Sequence, residues 1–368
     1  MCTRFRVADT DSYHHQTRTR ITMARGTLRN GVLIKQMPSP YSKQQIKQWL
    51  DVIKFDTKPE DGIDENAETL PAPTLDNLVI LTRLHLIAFP FETTPIHYTS
   101  EHCMNVTPEG LFQRLVVQRR GGSYCYGLNG LLFGMLLGLG YRAYAGQART
   151  NGNFSPNGPP NYLHTSHMVI FLQPFPESNV TYVVDTGFGG GGLTRPILLS
   201  DDPDNVIVGT TPSERHRLTK EPLPQASFDD PAWRLEVMYE KPNSSESLWR
   251  VIYSFSETEY FQCDFEAMSY FVSTHPPSPT SPFSTLRDIV FLKRYFWIDD
   301  TGDIAQKEMG TLTLIGRTVK RQIGQTTEEL KRLETEEERI KAIKEDFGVH
   351  IDDDGIEHIR GRKAELTA

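Results

Sequence analysis

The chain has 368 residues, 38% hydrophobic and 10% aromatic, which supports a substantial core and excludes wholesale disorder. Its net charge of -8 carries no basic excess, and this argues against nucleic acid as a partner. Four cysteines, Cys2, Cys103, Cys125 and Cys263, stand far apart with no CxxC or Cys/His zinc spacing. No metal site is therefore expected, and a reducing compartment suits the chain better than a disulfide framework.

Residues 1 to 40 are rich in Arg and Thr with little apolar periodicity. Asp9 and Asp11 argue against a transit peptide, and no apolar segment marks a secretory signal. The stretch reads as a disordered, non-core extension, or as sequence upstream of a later start such as Met37. The longest apolar run, Leu128 to Tyr141, falls short of the roughly 20 residues that cross a bilayer. A soluble cytoplasmic protein with no membrane partner is expected.

From Tyr41 the texture is helical. "YSKQQIKQWLDVIKF" offers Ser42 as N-cap, then Ile46, Trp49, Leu50 and Ile53 at helical spacing. "TLDNLVILTRLHLIAFPFE" repeats the pattern and stops at Pro90. "TPEGLFQRLVVQ" opens with Thr107 as N-cap and Pro108 at the first helical position. A further helix follows Cys125, where Gly130, Gly134 and Gly138 form a small stripe that lets another backbone approach closely. The period then shifts toward two in "YRAYAGQAR", "HMVIFLQ", "TYVVDTGF", "WRLEVMYE" and "WRVIYSFS", which reads as an antiparallel sheet or barrel. The tail mixes the short strands "IVFLKRYFWID" and "TLTLIG" with "TTEELKRLETEEERIKAIKEDFG". The last reads as an amphipathic helix with Leu330, Leu333, Ile340 and Ile343 on one face and Gly348 as stop.

Cys125 stands out. It follows Gly121 and Gly122 and precedes an apolar run, so it falls near a predicted helix N-terminus, where unpaired N–H groups favour negative charge. A thiol nucleophile is activated by such a terminus, by a protonated histidine, or by both. "HMVIFL" and "VTYVVD" look like two strands of equal length joined by "QPFPESN". Pairing Leu172 with Val180 sets His167 opposite Asp185, within side-chain reach. His167 would then take the thiol proton and Asp185 would hold the ring.

At these residues the sequence resembles the arylamine N-acetyltransferases. The matching segments are Arg120, Gly121, Gly122, Cys125 and Asn129; "SHMVIFL" with His167; and "VVDTGFGG" with Asp185, Gly187, Phe188 and Gly189. "LHLIAFPFETTPI" looks like a further family stretch with Thr93 in place of Asn, and "DFEAMSYFVSTHPPSPTSPF" like the opening of its third domain. Two departures are visible. Two residues, Ser123 and Tyr124, separate the glycines from Cys125 where the family usually has one, and Gly127 stands where the family often has Glu or Gln.

The resemblance implies an α+β fold with a cysteine-protease-like Cys-His-Asp core. Residues 41–140 would form a helical domain, 141–258 an antiparallel β-barrel and 259–368 an α/β C-terminal lid. It implies ping-pong transfer of an acetyl group from acetyl-CoA through Cys125 to an arylamine, hydrazine or arylhydroxylamine; some relatives use malonyl-CoA instead. Phe188 would line the acceptor pocket, Thr165 and Ser166 would lie near the bound CoA, and Gly189 would be a further substrate- or CoA-binding residue. Two rival readings stand beside it: the Cys–His–Asp order also fits a papain- or transglutaminase-like cysteine hydrolase, against which "VDTGFG" and "FPFE" speak, and a catalytically silent scaffold would keep the same fold.

Overall fold

The computed structural model describes residues 26–56, 70–153, 155, 158–240, 248–276 and 285–367. The N-terminal helices are α1 (Lys43–Ile53), α2 (Leu75–Ala88), the single turn α3 (Thr94–Tyr98) and α4 (Pro108–Leu111). A π-helical turn, Phe112–Val117, extends α4, and α5 (Cys125–Gly138) follows. Their starts are chemical. Ser42 and Gln45 form a reciprocal capping box on α1, while Thr74 and Thr107 accept from Asn77 N–H and Gly110 N–H. Ile46, Trp49, Leu50 and Ile53 are buried as the spacing predicts. The glycine stripe of α5 admits side chains rather than a backbone. A β-carbon on Gly134 would lie 2.5 Å from the Tyr41 ring and one on Gly138 2.3 Å from Ile46, whereas Gly130 has ordinary room.

Short β1 (Phe91–Glu92) precedes the main sheet. The strands β2 (Arg142–Asn151), β3 (Tyr162–Gln173), β4 (Tyr182–Val184), β5 (Ile197–Leu198), β6 (Val206–Val208), β7 (Glu214–Pro222), β8 (Pro231–Tyr239) and β9 (Trp249–Phe255) form one antiparallel sheet. It runs in the order β5-β4-β3-β2-β9-β8-β7-β6. It curls into a nearly closed barrel, and Asn205 links the two edges' surroundings by donating to the carbonyls of Leu198 and Ser200. β3 is buried on both faces: Met168, Ile170 and Leu172 pack with the helices, Val169 and Phe171 inside the barrel. That double burial is why its sequence is a continuous apolar run rather than an alternation.

The remainder comprises α6 (Gln262–Thr274), α7 (Thr285–Asp288), β10 (Phe291–Trp297), β11 (Met309–Ile315), β12 (Thr318–Ile323), β13 (Thr326–Arg332), α8 (Glu336–Phe347) and α9 (Gly355–Ile359). Strands β10 to β13 make a second antiparallel sheet whose first strand is β1, lent by the N-terminal region. The fold is thus the expected combination of helical unit, barrel and α/β lid.

Three expectations are corrected. The long C-terminal helix begins only at Glu336, capped by Thr335; residues 326–332 form β13, paired with β12. Leu330 is exposed there, so its helical spacing with Leu333 has no packing to enforce it. The hairpin register is shifted by two: Ile170 pairs with Val184 and Leu172 with Tyr182, and β4 is far shorter than β3. Finally, the non-core extension does not reach residue 40. Thr27 bridges Val180, and Leu28 and Ile34 pack in the barrel core. Buried Gln173 accepts from Ile34 N–H and donates to Val32 O and the Thr181 hydroxyl. Residues 1–25 lie outside the described residues.

No helix among the described residues is long and apolar enough to cross a membrane, and none of their His, Cys, Asp and Glu side chains cluster as a metal site.

Candidate active site

Cys125 is the first residue of α5, and no side chain caps the helix there. The loop before it is held by close backbone contacts that only small residues allow. A β-carbon on Gly122 would sit 1.6 Å from Pro90 O, and Gly121 has φ +135 with Val349 against it. Ser123 N–H donates to Pro90 O, and Glu92 N–H donates to Ser123 O. Buried Glu92 is fixed in turn by Arg114 at 2.6 Å and by the N–H and hydroxyl of Thr94. Thr93 ties the same stretch to β10, accepting from Phe291 N–H at 3.0 Å. Tyr124 and Tyr126 are both buried around the thiol, and Tyr124 is anchored to Ser269.

His167 reaches the thiol from β3. At that point β2 pairs Ala148 with His167 and Arg149 with Thr165, so Ser166 is an extra, bulged residue. Its carbonyl is turned toward the cysteine and accepts from Cys125 Sγ at 3.5 Å. His167 Nε2 lies 2.7 Å from Asp185 Oδ2, and the neighbouring Cys125 thiol also favours the ring's charged form. With Nε2 engaged by the carboxylate, Nδ1 is the nitrogen left for sulfur. Asp185 lies just past the end of the ladder, diagonal to His167 rather than opposite. Because side chains alternate with period two, the two-residue shift keeps both on the barrel-interior face, and the contact survives the corrected register.

Asp185 is fully provided with donors. Oδ1 accepts from Asn129 Nδ2 and Gly187 N–H, both at 2.9 Å; Oδ2 accepts from the Tyr253 hydroxyl at 3.0 Å as well as from His167. Asn129, one turn along α5 from Cys125, also donates to Met168 O and accepts from Thr186 N–H. One amide therefore fastens α5, β3 and the loop after β4 together. Gly187 completes the fit, since a β-carbon there would be 2.6 Å from Cys125 Cα. Burial opposes a charged His167, but the Asp185 carboxylate, its hydrogen bond to the ring and the adjacent Cys125 outweigh it and raise its pKa to about 10. Burial likewise opposes a charged Asp185, yet His167, Asn129 and Gly187 hold its carboxyl below the usual range. An imidazole held between a thiol and a carboxylate in this way can move a proton to and from sulfur.

A cleft opens over Cys125. Phe91, Phe188, Val272 and Leu286 supply apolar walls, and Thr150, His164, Ser166 and His275 supply polar ones. Of the binding residues expected from sequence, Ser166 and Phe188 line this cleft. Thr165 and Gly189 do not; Gly189 takes φ +85 and packs against the Phe91 ring. A larger groove between residues 28–37 and 220–232 holds none of these residues. Sequence reasoning missed Tyr253 and gave Asn129 no role. An aromatic on an apolar strand looks like core, and only its hydroxyl contact distinguishes Tyr253.

Helical unit, barrel and cleft-covering lid together match a known class. The fold is that of the N-acetyltransferases: the structure of Mycobacterium marinum arylamine N-acetyltransferase superposes with a TM-score of 0.64 at 26% identity, over 87% of this chain and 99% of that one. The same enzyme in complex with CoA gives the same values. A family profile described as N-acetyltransferase matches residues 74–356, and the chain belongs to the arylamine N-acetyltransferase family. It is 29% identical over 330 residues to an N-malonyltransferase of Gibberella moniliformis, covering 84% of this chain and 90% of that protein. It is 32% identical over 213 residues to the arylamine N-acetyltransferase of Mycobacterium tuberculosis, covering 56% and 65%. By family, then, the chain is an acyltransferase.

Proposed function

We propose that the protein transfers an acyl group from an acyl-CoA thioester to the nitrogen of an arylamine, hydrazine or arylhydroxylamine, by way of a thioester on Cys125. The observation that carries this reading is the line Asp185–His167–Cys125 meeting an open cleft at an uncapped helix N-terminus. His167 takes the thiol proton and sulfur attacks the donor's carbonyl carbon. The first-turn N–H groups of α5 face the developing oxyanion. Collapse breaks the carbon–sulfur bond to CoA, which leaves with the proton returned by His167. An amine then attacks the acyl-Cys125, gives its proton to His167, and the cysteine thiol is restored.

We take residues 41–140, 141–258 and 259–368 as the units that supply the nucleophile, the His–Asp pair and the roof of the cleft. Acetyl-CoA and malonyl-CoA are the donors to compare, because the relatives include enzymes named for each acyl group.

Intact-protein mass after mixing with donor and no acceptor tests the reading. Wild type should gain one acyl group and Cys125→Ala none. No gain with either donor would refute acyl transfer and favour a silent scaffold. Rapid loss of the donor with free acid released would favour a hydrolase.

A further inference from the structure

Apart from Cys125, the titratable side chains lining the cleft among the described residues are three imidazoles, His164, His167 and His275; no carboxylate lines it. His167 belongs to the line already described, its pKa raised by Asp185 against the cost of burial. The other two come from different elements, His164 from β3 and His275 from the C-terminal end of α6. Both rest on Phe271. His164 meets its ring edge-on at 4.8 Å and 80°, and His275 stacks on it at 4.3 Å and 20°. Arg149, on the neighbouring strand, adds a positive charge beside His164. Burial first, then the fields of His275 and Arg149, hold His164 below the usual imidazole range. A bound carboxylate would relieve that electrostatic crowding.

The cleft's lining is therefore mixed. Phe91, Phe188 and Leu286 are apolar, while the imidazoles add polar groups beside the Arg149 charge. An acetyl group, ending in a methyl, makes no use of those groups. An acyl chain ending in a carboxylate does.

We propose that His164 and His275, clasping Phe271, form a subsite for a carboxylate carried on the acyl group, so that a malonyl-type thioester is preferred to an acetyl one. This rests on acyl transfer through Cys125. The carboxylate accepts from the two imidazoles while the thioester carbonyl lies over the sulfur. The phosphates of CoA are common to both donors, so the ratio of the two rates isolates the acyl carboxylate.

The test is the rate of Cys125 acylation in the full chain, followed by CoA release, with malonyl-CoA, acetyl-CoA and the methyl ester of malonyl-CoA. Wild type should favour malonyl-CoA by about tenfold or more over both uncharged donors. His164→Leu and His275→Leu should each lower the malonyl-to-acetyl ratio by about tenfold, or about 1.4 kcal/mol. His164→Gln, which keeps an N–H donor, should retain more of the ratio than His164→Leu. The ester comparison uses wild type alone and does not depend on any variant folding. Equal or faster acylation by acetyl-CoA, an ester as good as malonyl-CoA, or a ratio unmoved by both leucine substitutions would overturn the proposal. Acylation by none of the three would instead refute the thioester route on which it rests.

Discussion

Ser123 occupies the space that a side chain on residue 127 would need: a β-carbon on Gly127 would lie 2.0 Å from Ser123 Oγ and 2.5 Å from its Cβ. Ser123 is wholly buried and its hydroxyl has no partner among the described residues. Ser123 and Gly127 are therefore a matched pair in space. Gly127→Ala should overpack the first turn of α5 at a cost of about 1–3 kcal/mol, seen as a lower melting temperature and slower alkylation of Cys125. Ser123→Gly added to it should restore part of both. A double variant no better than Gly127→Ala would show that the two positions are independent.

Tyr253 and Asn129 should separate positioning from stability. Tyr253→Phe keeps the ring against His167 and removes one donor from Asp185. Acylation should slow by about tenfold with little change in melting temperature. Asn129→Ala removes the side-chain partner of Thr186 N–H and one donor each from Met168 O and Asp185 Oδ1, which keeps Gly187 N–H, at about 1–3 kcal/mol for each buried group left unpaired. Both the melting temperature and the rate should fall. A Tyr253→Phe enzyme with the wild-type rate would remove the hydroxyl from the mechanism.

The charged pair predicts how stability changes with pH. Unfolded, His167 would titrate near its ordinary value of about 6.5; folded, its pKa is raised to about 10. Its contribution is complete below about pH 6.5 and is lost as pH climbs through about 10. Asp185 has the opposite sign: its lowered pKa contributes at neutral pH, and that contribution is lost only as acid passes below the ordinary carboxyl range. Urea unfolding from about pH 6 to about pH 10 should show wild type's margin over His167→Gln narrowing with rising pH. A constant margin would contradict the raised value.

Gln173 makes a prediction away from the chemistry. Its side chain links Ile34, Val32 and Thr181. Gln173→Ala should lower the melting temperature and speed hydrogen exchange at the Ile34 amide, read by mass spectrometry. Unchanged exchange would mean that Leu28 and Ile34 hold the segment by burial alone.

The helical start of the fold is legible because caps and spacing agree: Ser42 and Thr107 each sit where a side-chain oxygen is needed, and the structure adds Thr74. Cys125 was legible from its glycines. The His167–Asp185 contact was found through the wrong register, since a two-residue slip leaves both faces unchanged and sequence alternation cannot detect it. β7 escaped notice because its inward positions include Glu214 and His216 beside Leu218, so burial alternates while hydrophobicity does not. The sequence of β13 reads as helix because Leu330 and Leu333 fit a helical spacing that tertiary pairing with β12 overrides. Residues 26–40 looked unlike core because only Leu28 and Ile34 among their exposed neighbours are held inside the barrel.

The two residues of β1 touch both ends of the chain's history on the ribosome. Phe91 bridges Ser123, beside the nucleophile, and pairs with Lys293 in β10. A nascent chain that has already emitted Cys125 still lacks the strand against which that segment is braced. The thiol's loop gains its second support only after the lid's first strand emerges. Truncated translation products should therefore display the cysteine without its finished surroundings, which couples completion of synthesis to completion of the site.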